Sequence, residues 1–334
     1  MQAEKNEPSG FDKMALITLS EQSDGDQLQK AKTILQDRDR LKHHILALKQ
    51  ERNQGSQQYV DHPKISLILQ FFNRKEFIKS ILKRLRAVGA EELIVIDDGS
   101  IDGSYEKWPK HLNQPNDFLL RSNDLYEVRM YERAISMARG EFVCLLQDDD
   151  LPEPKTQWIE NALTLFKNYP KLLILGGRQG IELRPERTRL PFFKSEKSVR
   201  THIESNPIYE DPKSGISFMF YMATSRAPMF IRRKEFMALG GIDQSFAPFQ
   251  NDDVEICLRA WLNGYQVGFY KAPFLRNVAN KGGMRLYNAH SSSVQDALNM
   301  KKICAKYGKN IASGQFRRLV KVANKKLKRR VIQI

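Results

Sequence analysis

Three consecutive aspartates, Asp148-Asp149-Asp150, follow the apolar run Phe142 to Leu146. Adjacent carboxylates at the end of a buried strand repel one another, so stability is lost there unless a cation or hydrogen-bond donors stand among them. A divalent metal is the economical explanation; the alternative is a solvated turn, since aspartate is a common turn and cap residue. A second pair, Asp97-Asp98, follows the apolar run ending at Ile96 and leads into Gly99-Ser100, a turn suited to bonding a base or ribose. A third set, Asp252, Asp253 and Glu255, comes after Gly240-Gly241-Ile242-Asp243 and opens the helical periodicity of Ile256, Leu258, Ala260, Trp261 and Leu262. Acids at a helix start complement its dipole. One that faces a cleft serves equally as a general base.

The elements that must carry these acids alternate. Ile65 to Leu69 and Glu92 to Ile96 are compact apolar runs of the kind that form buried parallel strands. Between them, Phe77, Ile81, Leu82 and Leu85 recur at helical spacing and Gly89 closes the pattern. Phe118 to Leu120 offers a third strand, Val128 to Ala138 a helix and Phe142 to Leu146 a fourth strand. Strand and helix alternating at such short intervals predict an α/β fold with a doubly wound, mostly parallel sheet, whose ligands sit beyond the carboxyl ends of the strands. Both Asp97-Asp98 and the triple aspartate fall at that edge. From Gly177 to Gly215 the chain is rich in Arg, Pro and Lys, and is expected to be an inserted loop or lid.

Composition limits the partners. The 334 residues carry a net charge of +15, but twelve Lys or Arg and no acid lie beyond Asp296, so the remaining 42 basic and 39 acidic residues leave the body near neutral. A nucleic-acid-binding protein would need a basic groove with interleaved aromatics, and acid clusters repel phosphate, so no nucleic acid is expected as a partner. Cys144, Cys257 and Cys304 are too few and scattered for a disulfide framework and read as reduced packing residues. Without a basic-then-apolar leader or an apolar run near the roughly 20 residues that cross a bilayer, the expected location is cytoplasmic.

Four segments in order carry a family resemblance: Ile65 to Asn73 (ISLILQFFN), IVIDDGSIDGS, ARGEFVCLLQDDDLPEP and GGIDQSFAPFQNDDVEICLRAW. Together they resemble the family 2 glycosyltransferases of the GT-A fold over about residues 64 to 275. The resemblance implies a Rossmann-like, mostly parallel central sheet flanked by helices, and transfer of a sugar with inversion from a nucleotide diphosphate donor, most simply a UDP-sugar, to an acceptor hydroxyl. It places Asp98 and Asp148 at the nucleotide sugar, with Phe72 where a base-stacking aromatic often sits. Asp149, with Asp150 and His290 as candidate partners, is placed at a divalent Mn2+ or Mg2+ ion, and Asp253 at the position of the catalytic base. Many members carry an acid where this chain has Gln147. The rival enzyme class of similar architecture, a nucleotidyltransferase, usually opens with a glycine-rich phosphate loop, and Gln70-Phe71-Phe72-Asn73-Arg74 contains no glycine.

The expected layout is a polar extension over residues 1–62, a GT-A domain over 63–285 with a nucleotide-binding half (63–155) and an acceptor-binding half (156–285), and a basic helical tail over 286–334. In the extension, Ile34, Leu41 and Leu48 recur every seven residues, a seam for a homodimer or for packing on its own domain. In the tail, Phe316, Leu319, Val320, Ala323 and Leu327 form a stripe among lysines and arginines. Such a helix either lies on an anionic membrane, where it would meet a glycan or lipid-linked acceptor, or packs its stripe on the core.

Overall fold

The computed structural model describes residues 60–123, 125–153, 157–187, 194–276 and 289–330, and of residues 150, 151, 187, 194, 276 and 289–292 the backbone only. The heptad seam of the N-terminal extension therefore lies outside the described residues.

The first half follows the expected alternation: β1 (Ile65–Phe71), α1 (Ile78–Arg86), β2 (Glu92–Asp97), a short α2 (Ser104–Lys107), β3 (Asp117–Arg121), α3 (Tyr126–Met137) and β4 (Phe142–Gln147). Strands β1, β2 and β4 are buried along nearly their whole length, which is why they read as continuous apolar runs. Helix α1 turns Ile78, Ile81, Leu82 and Leu85 inward and keeps Lys83, Arg84 and Arg86 in its last turn, where cations complement the dipole.

The second half adds β5 (Asp150–Pro152), α4 (Trp158–Asn168), β6 (Leu172–Gly176), β7 (Gly180–Arg187), β8 (Lys194–Glu204), β9 (Tyr209–Glu210), β10 (Phe218–Phe220), β11 (Ala223–Thr224), β12 (Met229–Arg232) and α5 (Arg233–Ala238). It closes with α6 (Asp252–Leu262), β13 (Gln266–Tyr270), β14 (Phe274–Arg276), α7 (Ala289–Ala312), α8 (Gln315–Asn324) and β15 (Lys328–Arg329). The central sheet has the order β10-β13-β6-β12-β4-β1-β2-β3, and only β10 and β12 run against the other strands.

The segment expected as an irregular loop or lid, Gly177 to Gly215, instead contains the antiparallel hairpin β7 and β8, to which β11 adds a third strand. Ile181 and Leu183 are buried while Glu182 and Arg184 alternate with them; two apolar residues amid Arg, Pro and Lys are too few to show the period of two in the sequence.

The basic C-terminal segment packs on the same body. Asn299 Nδ2 donates to the carbonyls of Phe246, Phe249 and Gln250 at 2.8 to 2.9 Å. A Cβ on Gly308 would stand 2.0 Å from the Glu196 carbonyl, so α7 lies on β8 with a glycine at the closest approach. The stripe on α8 turns to the core: Phe316 and Ala323 are buried, and Leu319, Val320 and Leu327 are half-buried against it. Of the two arrangements open to this helix, the structure has the packed one. Among the described residues, no helix is long and apolar enough to cross a membrane.

Candidate active site

The register of the sheet sets the site. Gln70 of β1 lies between Ile96 of β2 and Gln147 of β4, and Phe71 lies beside Asp97. The residues that follow, Phe72, Asp98 and Asp148, therefore leave three neighbouring strands at one level of the carboxyl edge. The Phe72 main-chain N–H donates to Asp148 Oδ2 at 3.0 Å. Arg74, buried and stacked 4.7 Å over the Phe77 ring, brings Nη1 to 3.6 Å from Asp148 Oδ1, beyond hydrogen-bond reach. Burial pushes the Asp148 carboxyl up to about 7 against the pull of Phe72 N–H and Arg74, and the charge of Asp149 raises it further. Asp148 thus points into the protein, while Asp149 keeps part of its surface open. Asp150 opens β5, whose backbone pairs with Arg276 of β14.

At the end of β2 the two aspartates have different tasks. Asp98 is buried; its Oδ1 accepts from Ser122 Oγ (2.7 Å) and Leu125 N–H (3.0 Å), and its Oδ2 from Tyr126 N–H (3.1 Å). Its carboxylate therefore caps α3 from a distant strand. Asp97, the first of the pair expected at this edge, is also buried: Oδ1 accepts from Ser100 N–H at 2.8 Å, whereas Oδ2 has no hydrogen-bond partner among the described residues. Desolvation pushes its carboxyl upward.

The third acid cluster reaches this edge through an arginine. Arg226, between β11 and β12, binds Asp252 with both terminal nitrogens, the Nη2 contact being 2.9 Å. The same Nη2 lies 2.8 Å from Glu127 Oε2 in the first turn of α3, and the guanidinium stacks 5.1 Å over the Tyr131 ring. Glu127 Oε1 in turn accepts from Gln147 Nε2 at 3.0 Å. The Gln147 amide supplies a donor that an ionised acid at this position could not. Arg226, Glu127 and Asp252 are each buried, so this is a desolvated ion triad, with each carboxylate answered by the one cation.

Asp253, next to Asp252, keeps part of its surface accessible. Burial pushes its carboxyl up to about 6; the Arg226 charge opposes this and Asp252 adds to it. The main-chain N–H groups of Val254 (2.9 Å) and Arg226 both bond to it. Burial raises both Tyr131 and Glu127 and the Arg226 charge opposes it; the charges of Glu127, Asp148 and Asp149 add to the rise of Tyr131, and those of Asp252 and Asp253 to that of Glu127. The first turn of α3 is therefore the hub: Asp98 caps it, Gln147 ties it to the end of β4, and Arg226 ties it to the start of α6.

Of the expected metal ligands, Asp149 alone has a described side chain. Those of Asp150 and His290, the latter in the first turn of α7, lie outside the described residues. Among the described residues, no three His, Cys, Asp or Glu stand close enough to hold an ion. Asp148 and Asp149 fit a divalent cation by chemistry: they are hard oxygen donors side by side at the carboxyl edge of the sheet, and Asp149 keeps part of its surface open. Sequence reasoning missed Glu127, Tyr131 and Arg226. The readable signal was Arg226 itself, a lone cation between the buried runs Met222-Ala223 and Met229 to Ile231, which had to find acids.

Residues 66–225 match the family model described as Glycosyl transferase family 2. A Bacillus subtilis protein named as a glycosyltransferase, EpsH, is 30% identical over 100 residues, covering 28% of each chain. The cholesterol galactosyltransferase of Borreliella burgdorferi is 32% identical over 93 residues, 27% of this chain and 26% of that one. The chain thus matches little more than a quarter of the length of these relatives. The solved structure of S. aureus TarS residues 1–349 in complex with UDP-GlcNAc aligns with a TM-score of 0.50 at 16% identity, over 78% of this chain and 74% of that one, a likeness of fold.

Proposed function

We propose that this chain, which has a GT-A-like α/β fold and carries a family 2 glycosyltransferase domain over residues 66–225, transfers a sugar from a nucleotide diphosphate donor to an acceptor hydroxyl with inversion. The observation that carries the reading is the convergence of three acid clusters, distant in sequence, on the first turn of α3 through Asp98, Gln147 and Arg226.

The donor lies along the carboxyl edge of β1, β2 and β4. Phe72 offers a face for the base, Asp97 and Asp98 line the end of β2, and Arg74 presents a buried nitrogen without a hydrogen-bond partner among the described residues. Asp149, beside Asp148, holds a divalent ion, which when bound supplies charge neutralisation for the leaving diphosphate. With its carboxyl near 6, Asp253 is mostly ionised at neutral pH yet basic enough to accept the acceptor hydroxyl proton. The acceptor oxygen forms its bond to the anomeric carbon on the face opposite the diphosphate, the bond from that carbon to the diphosphate oxygen breaks, and the proton ends on Asp253. The test is a panel of UDP-, GDP- and dTDP-sugars with Mn2+ or Mg2+, scoring nucleoside diphosphate release and the anomeric configuration of the product. Release of nucleoside diphosphate with an inverted product supports the reading; no release from any donor, or a retained configuration, contradicts it.

A further inference from the structure

Away from the acid clusters, α8 and β15 close over a cavity of about 560 Å³. Its floor is apolar: Met219, Tyr221 and Met222 from the body, Val320 and Leu327 from the C-terminal segment, and Ile208 beside β9. Its rim is cationic, with Arg317, Lys321, Lys325 and Arg329 against one carboxylate, Glu182. Glu182 is already taken, binding Arg184 and Arg317 at 2.6 Å each. Lys321, Lys325 and Arg329 are exposed and have no carboxylate partner among the described residues.

The walls are fixed before any ligand arrives. Asn324 exchanges two hydrogen bonds with the Phe220 backbone, both 2.9 Å, and Trp261 Nε1 donates to the carbonyls of Tyr221 (3.1 Å) and Met222 (3.2 Å). A preformed apolar cavity of this size suits a small molecule. The two halves of the site make different demands. Filling the floor needs a hydrocarbon, whose burial stabilises by about 0.8 kcal/mol per CH₂; answering three cations on the rim needs a compact anion with several acceptors, and phosphate carries three acceptor oxygens where a carboxylate carries two. A nucleic acid would satisfy the cations and leave the floor empty, and a neutral amphiphile would do the reverse.

We propose that this cavity binds a phosphorylated single-chain lipid, its hydrocarbon against Met219, Met222, Val320 and Leu327 and its phosphate against Lys321, Lys325 and Arg329. The lipid enters the cavity behind α8, so the apolar stripe of that helix stays on the core. The inference does not depend on sugar transfer, since its test is binding.

Decyl phosphate, titrated below its micelle concentration into the full chain by calorimetry, should bind saturably at about one per chain. Inorganic phosphate and decyl dimethylamine oxide at the same concentrations should bind at least tenfold more weakly. The exposed double substitution Lys321→Glu with Lys325→Glu should weaken decyl phosphate at least tenfold while the thermal midpoint holds. Val320→Trp, which fills the cavity, should abolish binding with the rim intact. Equal affinity for the two amphiphiles, affinity for inorganic phosphate matching that for decyl phosphate, or a charge-reversed variant that binds as tightly as the parent would each overturn the assignment.

Discussion

Arg226 holds Asp252 through both of its terminal nitrogens, and the residue after Asp252 is Asp253. The pair fixes the start of α6 against the turn before β12. Because Arg226 also binds Glu127, it fixes that helix start to α3 as well.

Removing Arg226 should therefore do more than remove one contact. Arg226→Met leaves Glu127 and Asp252 buried without their cation, and breaking a buried pair in this way costs about 3–5 kcal/mol. Urea unfolding should show a loss of that order. Arg226→Lys should recover only part of it, because an ammonium cannot serve both carboxylates in the fork geometry of a guanidinium. Parent-like stability in Arg226→Met would mean that the triad does not hold the two helices.

Gln147 should not tolerate an acid. Gln147→Glu replaces the donor to the buried Glu127 with a second carboxylate in a half-buried position, at an expected cost of about 1–3 kcal/mol. Gln147→Asn keeps a donor amide on a shorter arm and should cost less. Chemical denaturation orders the three; a Glu variant as stable as the parent would remove the assigned role of Gln147.

Asp98 has two readings that stability can separate. As the cap of α3, Asp98→Ala should lower stability by about 1–2 kcal/mol, the usual range for a lost cap, and weaken donor binding through the displaced turn. A residue that only reads the base would lose donor affinity with the unfolding midpoint unmoved. Paired denaturation and donor titration make the distinction.

The raised Asp253 carboxyl sets a pH limit. In the proposed role as base Asp253 must be ionised, so below about 6, where it is protonated, kcat/KM should fall about tenfold per pH unit, whereas above 6 the profile should level. For stability the sign is opposite. A carboxyl raised from 3.8 to about 6 in the fold favours the protonated folded state, so its contribution is complete below pH 4 and is lost as pH rises through 6. A kcat/KM profile flat from pH 5 to 8 would contradict the assignment.

The parts of this architecture that were legible in sequence are those set by local period. Buried strands such as Glu92–Asp97 and Phe142–Gln147 announce themselves as apolar runs, and the acids that follow them inherit a place at the sheet edge. What escaped depends on pairing at long range: Glu127 and Arg226 meet across 99 residues, and nothing near either names the other. The hairpin β7 and β8 was hidden because Ile181 and Leu183 are its main buried anchors on β7, among residues that otherwise read as a loop. On α8 the apolar stripe was plain, but a stripe records only that something covers it, and Phe316 and Ala323 turned out to face the core.

The most direct measurement is the single-turnover rate of Asp253→Asn beside its donor affinity. The account predicts parent-like donor binding with transfer slowed by about two to four orders of magnitude, the size of a lost general base. Transfer at the parent rate with donor bound would contradict it.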